Sequence, residues 1–130
     1  MPDFENVYEK VKTCLMDSCG LEEAQIELNK TLMEDLGIDS IDLLDLIYSL
    51  EKQYSISIGI GEFANLAAKE LGDKPFEIDN VVTDEGLTIL QEFFGESQKE
   101  KIQQGLTVQE IPTLLTVHSV CNLVLKKLAA

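Results

Sequence analysis

Ser40 lies in the stretch EDLGIDSIDLLDLIYSLEKQY, residues 34–54, with Glu34, Asp35, Asp39, Asp42, Asp45 and Glu51 around it and no basic residue in that stretch before Lys52. Three chemistries are open to a serine so placed. As an enzyme nucleophile it needs a positioned base and an oxyanion site. The one histidine, His118, falls in an apolar helical stripe, so the chain reads as a non-enzyme. As the neighbour of a metal, Ser40 has Asp39, Asp42 and Asp45, whose spacing of three puts carboxylates on neighbouring helical turns. Oxygen ligands suit calcium or magnesium, but no helix–loop–helix calcium pattern is present and no metal site is assigned. As an attachment point Ser40 is well suited, because a phosphate esterified at a helix start meets unpaired backbone N–H groups and the positive end of the macrodipole. A hydroxyl there projects from the helix end within reach of a modifying enzyme, and the carboxylates give a basic enzyme a place to dock. The plain alternative is an ordinary Asp-Ser helix start.

The elements that must position Ser40 follow from periodicity and caps. Phe4, Val7, Tyr8, Val11, Cys14 and Leu15 recur at helical spacing, with Asp3 as N-cap and Gly20 as stop, and predict a helix over 4–18. Residues 21–38 read as a long, partly ordered loop pinned to the core by Ile26, Leu28, Leu32 and Leu36. A second helix is predicted over 40–53, capped by Asp39, with Asp42 three positions on. Ile41, Leu43, Leu44, Leu46, Ile47, Tyr48 and Leu50 make its apolar face so wide that the helix is expected to be covered on most sides. Pro112 suits a first helical turn, and Leu114, Val117, Cys121, Val124 and Leu128 then mark a final helix. Between these lie a short helix with Phe63, Leu66, Ala67 and Leu71 closed by Gly72, and a turn-rich connector GDKPFEIDN. A helix capped by Thr83 and carrying Leu87, Leu90, Phe93 and Phe94 comes next, before the polar run GESQKEKIQQG, a solvated helix or mobile loop. Nothing demands a strand, and SISIGI pairs briefly at best.

A chain of 130 residues, 45% hydrophobic, can bury a sizeable core as one domain without disulfides or metal. Its 24 acidic residues against 10 lysines and no arginine give a net charge of −14. That balance argues against nucleic acid, whose binding rests on cations that neutralise phosphates, and against anionic membranes. Proteins with basic patches are the natural partners. Cys14, Cys19 and Cys121 form no paired motif and read as reduced, mostly buried thiols. With neither a signal-peptide pattern at the N-terminus nor an apolar run of membrane-span length, the expectation is a cytoplasmic monomer without stable membrane insertion.

The residues DLGIDSIDLLDLIYSLEKQYSISI resemble the attachment motif of acyl carrier proteins: an acidic, glycine-containing loop, Asp-Ser-Leu, then an acidic amphipathic helix. FENVYEKVKTCLMDSCG is similar to that family's first helix and TVHSVCNLVLKKL to its last, so the resemblance covers about 4–58 and 112–128. It implies an all-α, four-helix bundle with a helical or loop insertion at about 59–111. It also implies that Ser40 carries 4′-phosphopantetheine, whose thiol holds acyl groups as thioesters. By motif position, Glu34, Asp35, Asp39, Asp42, Asp45 and Glu51 would face partners: a phosphopantetheinyl transferase, then acyl-transfer and fatty acid or lipid biosynthetic enzymes. Ile41, Leu44, Leu46, Ile47, Leu50 and Ile58 would line the acyl pocket. Ile41 stands where the family has Leu, and 59–111 is far longer than the family's third-helix region. With that lengthened segment, the chain looks most like specialised carriers of lipid A and lipopolysaccharide assembly. The competing class is an acidic helical adaptor that is never modified, for which Ser40 would have no use.

Overall fold

The computed structural model describes residues 2–58, 69–94 and 98–129. Helix α1 runs Phe4–Cys19: the Asp3 carboxylate accepts the Asn6 N–H at 2.9 Å, and Gly20 stops it at φ +70°. Helix α2 runs Ser40–Tyr54 and helix α5 Val117–Ala129. Between α2 and α5 lie α3, Asp84–Phe94, and a one-turn α4, Ile111–Leu114. The architecture is the all-α helical bundle the sequence implied, with one two-stranded pair added among the described residues. By its contacts the chain forms two compact units, Met1–Gly59 with Leu115–Ala130, and Ile60–Leu114.

In the first unit α1 packs against both α2 and α5. Val7, Val11, Leu15, Leu43, Leu46, Leu50, Val117, Val120, Cys121 and Val124 are buried in it. A fully buried leucine such as Leu46 or Leu50 contributes roughly 2 kcal/mol through removal from water. The Tyr54 hydroxyl donates to Asn6 Oδ1 at 3.0 Å and ties the end of α2 to the start of α1. The segment 21–38 is anchored as expected at Ile26 and Leu32, with Ile38 a further buried contact, while Leu28 and Leu36 are half-buried. Its backbone adds an anchor that periodicity does not reveal. Leu28 and Lys30 carbonyls accept the N–H groups of His118 and Val117, and the Leu115 carbonyl accepts the Leu32 N–H. The loop thereby satisfies two of the orphan donors at the start of α5. Beside them Thr116 and Ser119, both buried, cap the same helix reciprocally: Ser119 Oγ accepts the Thr116 N–H at 2.7 Å and Thr116 Oγ1 the Ser119 N–H at 3.0 Å.

That cap corrects the expected boundary. The final helix begins at Val117, and Leu114 belongs to α4 in the second unit, because Thr116 breaks the helical run to cap α5. In the second unit β1, Glu77–Ile78, pairs antiparallel with β2, Val81–Val82. This pair replaces part of the expected connector. Asp79 and Asn80 turn it with φ of 52° and 72°, a conformation Asp and Asn tolerate and two-residue hairpins require. The Leu106 carbonyl accepts the Val82 N–H and the Asn80 carbonyl the Val108 N–H, extending the pairing. Helix α3 starts as predicted, with Thr83 Oγ1 accepting the Gly86 N–H at 3.1 Å, and buries Leu87, Leu90, Phe93 and Phe94. The polar run is neither solvated helix nor loose loop where described: Ile102 is buried, and the buried Gln98 donates from Nε2 to the Leu114 carbonyl at 2.8 Å. Residues 69–71 are helical and Gly72 comes next at φ +64°, while Phe63, Leu66 and Ala67 lie outside the described residues.

Candidate functional site

Ser40 is the first residue of α2 and is exposed, and among the described residues no hydrogen bond engages its hydroxyl. The preceding turn is built in layers. Thr31 Oγ1 accepts the Asp35 N–H at 2.9 Å, and Asp35 Oδ2 accepts the Thr31 N–H at 2.9 Å. The Thr31 and Leu32 carbonyls accept the N–H groups of Leu36 and Ile38. Gly37 takes the left-handed conformation at φ +72°, where a side chain would be strained, and turns the chain toward the helix. Asp39 then caps α2, its Oδ1 accepting the Asp42 N–H at 2.8 Å.

The apolar positions of α2 divide by helical phase. Leu43, Leu46 and Leu50 share the buried side, Ile47 is half-buried, and Ile58 beyond the helix is buried. Ile41, Leu44 and Tyr48, spaced by three and four, lie on another face and are 68%, 53% and 60% exposed. The expectation of a helix covered on most sides fails on that face. Two residues expected in the pocket, Ile41 and Leu44, stand there in solvent together with Tyr48, over whose ring Lys52 Nζ sits 5.3 Å from the centroid.

The acidic residues divide as well. Asp39 and Asp45 are exposed and Asp42 half-buried, and among the described residues none of the three forms an ion pair. Burial raises the pKa of the Cys19 thiol at the end of α1, and the charges of Asp42, Asp45 and Asp39 add to the shift. Glu34 is exposed. Asp35 and Glu51 hold backbone: Asp35 does so at Thr31, and Glu51 Oε2 accepts the Ile58 N–H at 2.8 Å. Thr31 escaped the sequence reading altogether; the signal for it was a hydroxyl four residues before an acid at a loop end. His118 is exposed, with its ring 5.3 Å from that of Phe4. Cys14 and Cys19 are half-buried and Cys121 buried, all as free thiols. No cluster that could hold a metal occurs among the described residues. None of their helices is long and apolar enough to cross a membrane.

A phosphodiester on Ser40 Oγ fits this setting, since the hydroxyl is exposed and unengaged and lies at the positive end of the α2 macrodipole. The nearby Asp39 carboxylate opposes it only weakly, because water and salt screen exposed charges. A family model described as "Phosphopantetheine attachment site" matches residues 9–78. Curated acyl carrier proteins are similar to the chain. That of Thermotoga maritima is 28% identical over 81 residues, 55% of this chain and all of that protein. That of Clostridium acetobutylicum is 36% identical over 52 residues, 40% of this chain and 68% of that protein. That of Phytoplasma australiense is 38% identical over 64 residues, 49% of this chain and 84% of that protein. No solved structure matches the chain. With an attachment-site match across more than half its length and relatives aligned over most of theirs, the chain belongs to the acyl carrier protein family, and its prosthetic group is 4′-phosphopantetheine.

Proposed function

We propose that Ser40 is the residue esterified by 4′-phosphopantetheine and that the chain presents acyl thioesters to the enzymes of a fatty acid or lipid pathway in the cytoplasm. The observation that carries this reading is the exposed, unengaged Ser40 hydroxyl at the capped start of α2, within the matched residues. When attached, the group supplies a terminal thiol that holds cargo as a thioester. The rest falls to the chain's own residues. Asp39, Asp42 and Asp45, with Glu34, attract a basic transferase and the later acyl-transfer enzymes. Ile41, Leu44 and Tyr48 then give those partners apolar surface to bury. Leu46, Leu50, Ile47 and Ile58 face the interior where a cargo chain would be sheltered. The unit Ile60–Leu114 supports a specialised cargo, a hydroxylated or long acyl chain of the lipid A and lipopolysaccharide kind, because such a chain needs apolar shelter beyond a minimal bundle.

The test is intact mass after incubation with coenzyme A and a promiscuous phosphopantetheinyl transferase. One phosphopantetheine should be added to the wild type and none to Ser40→Ala. Full modification of Ser40→Ala, or none of the wild type by an active transferase, sinks the assignment. For the cargo, the intact mass of the protein isolated from its own cells identifies the acyl group, and ordinary short, unhydroxylated chains would reject the specialised reading.

A further inference from the structure

We infer that Thr31 and Asp35 are positioning residues for the modification of Ser40, and that Asp35 acts through the backbone it holds rather than through contact with a partner. The inference rests on Ser40 being the attachment residue. Asp35 belongs by sequence to the acidic set expected to face enzymes, yet its carboxylate receives the Thr31 N–H at 2.9 Å while its own N–H goes to Thr31 Oγ1 at 2.9 Å. Thr31 is 6% exposed, so a break in this clasp strands its N–H and hydroxyl where water reaches them poorly, although Asp35 itself lies at the exposed side of the turn. The clasp is itself held from behind. Thr31 bridges Thr116, and the neighbouring Leu32 N–H is received by the Leu115 carbonyl at 2.9 Å, so its footing is the backbone at the start of α5.

Four residues separate the clasp from Ser40, and each is constrained. Leu36 donates to the Thr31 carbonyl, Gly37 is held left-handed, Ile38 is buried and donates to the Leu32 carbonyl, and Asp39 caps the helix. With no slack between them, a shift at Thr31 and Asp35 passes to the Ser40 hydroxyl. In the transfer, Ser40 Oγ bonds to the coenzyme A phosphorus that bears the pantetheine, the pyrophosphate P–O bond breaks, 3′,5′-adenosine bisphosphate leaves and the hydroxyl proton passes to a base of the transferase. The hydroxyl must lie in line with that phosphorus, and a misplacement of about 1 Å can cost up to 100-fold. Attraction of the transferase, by contrast, depends on exposed charge and is felt in KM and in salt dependence.

The experiment measures kcat and KM of transferase modification for six proteins: wild type, Asp35→Ala, Asp35→Asn, Thr31→Val, Thr31→Ser and Asp42→Asn. Asp35→Ala and Thr31→Val should lower kcat about tenfold with KM within about twofold of wild type, at low and high salt alike. Asn still offers an oxygen to the Thr31 N–H and Ser still offers one to the Asp35 N–H, so those two variants should return to within about twofold of wild type. Asp42→Asn should raise KM at low salt and leave kcat unchanged. Thr31→Val at the wild-type rate, or Asp35→Asn no better than Asp35→Ala, overturns the inference and returns Asp35 to the partner-facing set. If Asp35→Ala does not fold, the Thr31 pair decides on the same criteria, with hydrogen exchange of the Ile38 amide as a check that the turn has loosened. Failure of the wild type to be modified is a different result, because it removes the assignment of Ser40 itself.

Discussion

The Glu51 carboxylate receives the Ile58 N–H at 2.8 Å, so a residue on the last turn of α2 closes the chain that leaves the helix. Ser55 makes that turn possible at φ +55°, and Ile58 is buried. Glu51→Ala leaves this donor without its partner and should cost about 1–3 kcal/mol, whereas Asp45→Ala, at an exposed carboxylate, should stay within about 0.5 kcal/mol. Denaturant unfolding monitored by tyrosine emission reads the first unit directly, since Tyr8, Tyr48 and Tyr54 all lie there. Equal losses in the two variants would show that the Glu51 bond carries no stability.

Charge reversal at Asp42 or Asp45 is expected to raise KM for Ser40 modification, and rising salt should raise it for the wild type. Truncation of Leu44 or Tyr48 to Ala should weaken binding without that salt dependence, because both side chains are exposed and apolar. Modification kinetics in a salt series separate the two contributions. Kinetics indifferent to charge reversal and salt would make the acidic face a matter of solubility alone.

Gly86 marks the closest approach of α3 to the hairpin: a Cβ there would stand 2.6 Å from the Phe76 carbonyl oxygen and 2.8 Å from Val82 Cγ1. Gly86→Ala should therefore destabilise the second unit by about 1–3 kcal/mol despite the better helix propensity of alanine. Hydrogen exchange of the α3 amides measures this locally. Unchanged protection would mean that the hairpin yields without cost.

Burial pushes the Cys121 thiol up to about 12 from an ordinary 9.0. A thiol raised in the folded state keeps its proton while the unfolded chain loses it, so stability is intact below pH 9 and declines as pH rises toward 12. The decline from this group is at most about 1.4 kcal/mol per pH unit. Cys121→Ala should flatten the fall between about pH 9 and 11, measured by denaturant unfolding at each pH. Iodoacetamide at about pH 8 should label Cys14 and Cys19 before Cys121, and an early reaction of Cys121 would contradict its burial.

The helix starts at Asp3, Asp39 and Thr83 were legible because a cap and the periodicity after it are local properties of the chain. Which side of α2 is covered was not, since Ile41, Leu44 and Tyr48 continue the apolar pattern of Leu43, Leu46 and Leu50 and only tertiary packing separates the two sets. Ser40 stood out through its setting in a long motif, whereas Asp35 and Glu51 look like any exposed acid until their backbone donors are located. Two missed features did carry signals. Asp79-Asn80 between FEI and VV has the composition of a tight hairpin turn. Thr116 and Ser119 have the spacing of a reciprocal cap, hidden inside an apolar run and made with a hydroxyl in place of the usual Glu or Gln.

The bonds from Leu28, Lys30 and Leu32 to Leu115, Val117 and His118 join segments that leave the ribosome far apart in time. At about 5–20 residues per second, all of Ile60–Leu114 is synthesised while α1 and α2 wait without α5. The later-coded unit has its whole sequence available first, and the earlier-coded one is completed only by the last helix. Released chains truncated before Val117 should therefore protect the α3 amides while the turn before Ser40 remains open to a protease. In the growing polypeptide, the unit whose synthesis starts earlier is the later of the two to be completed.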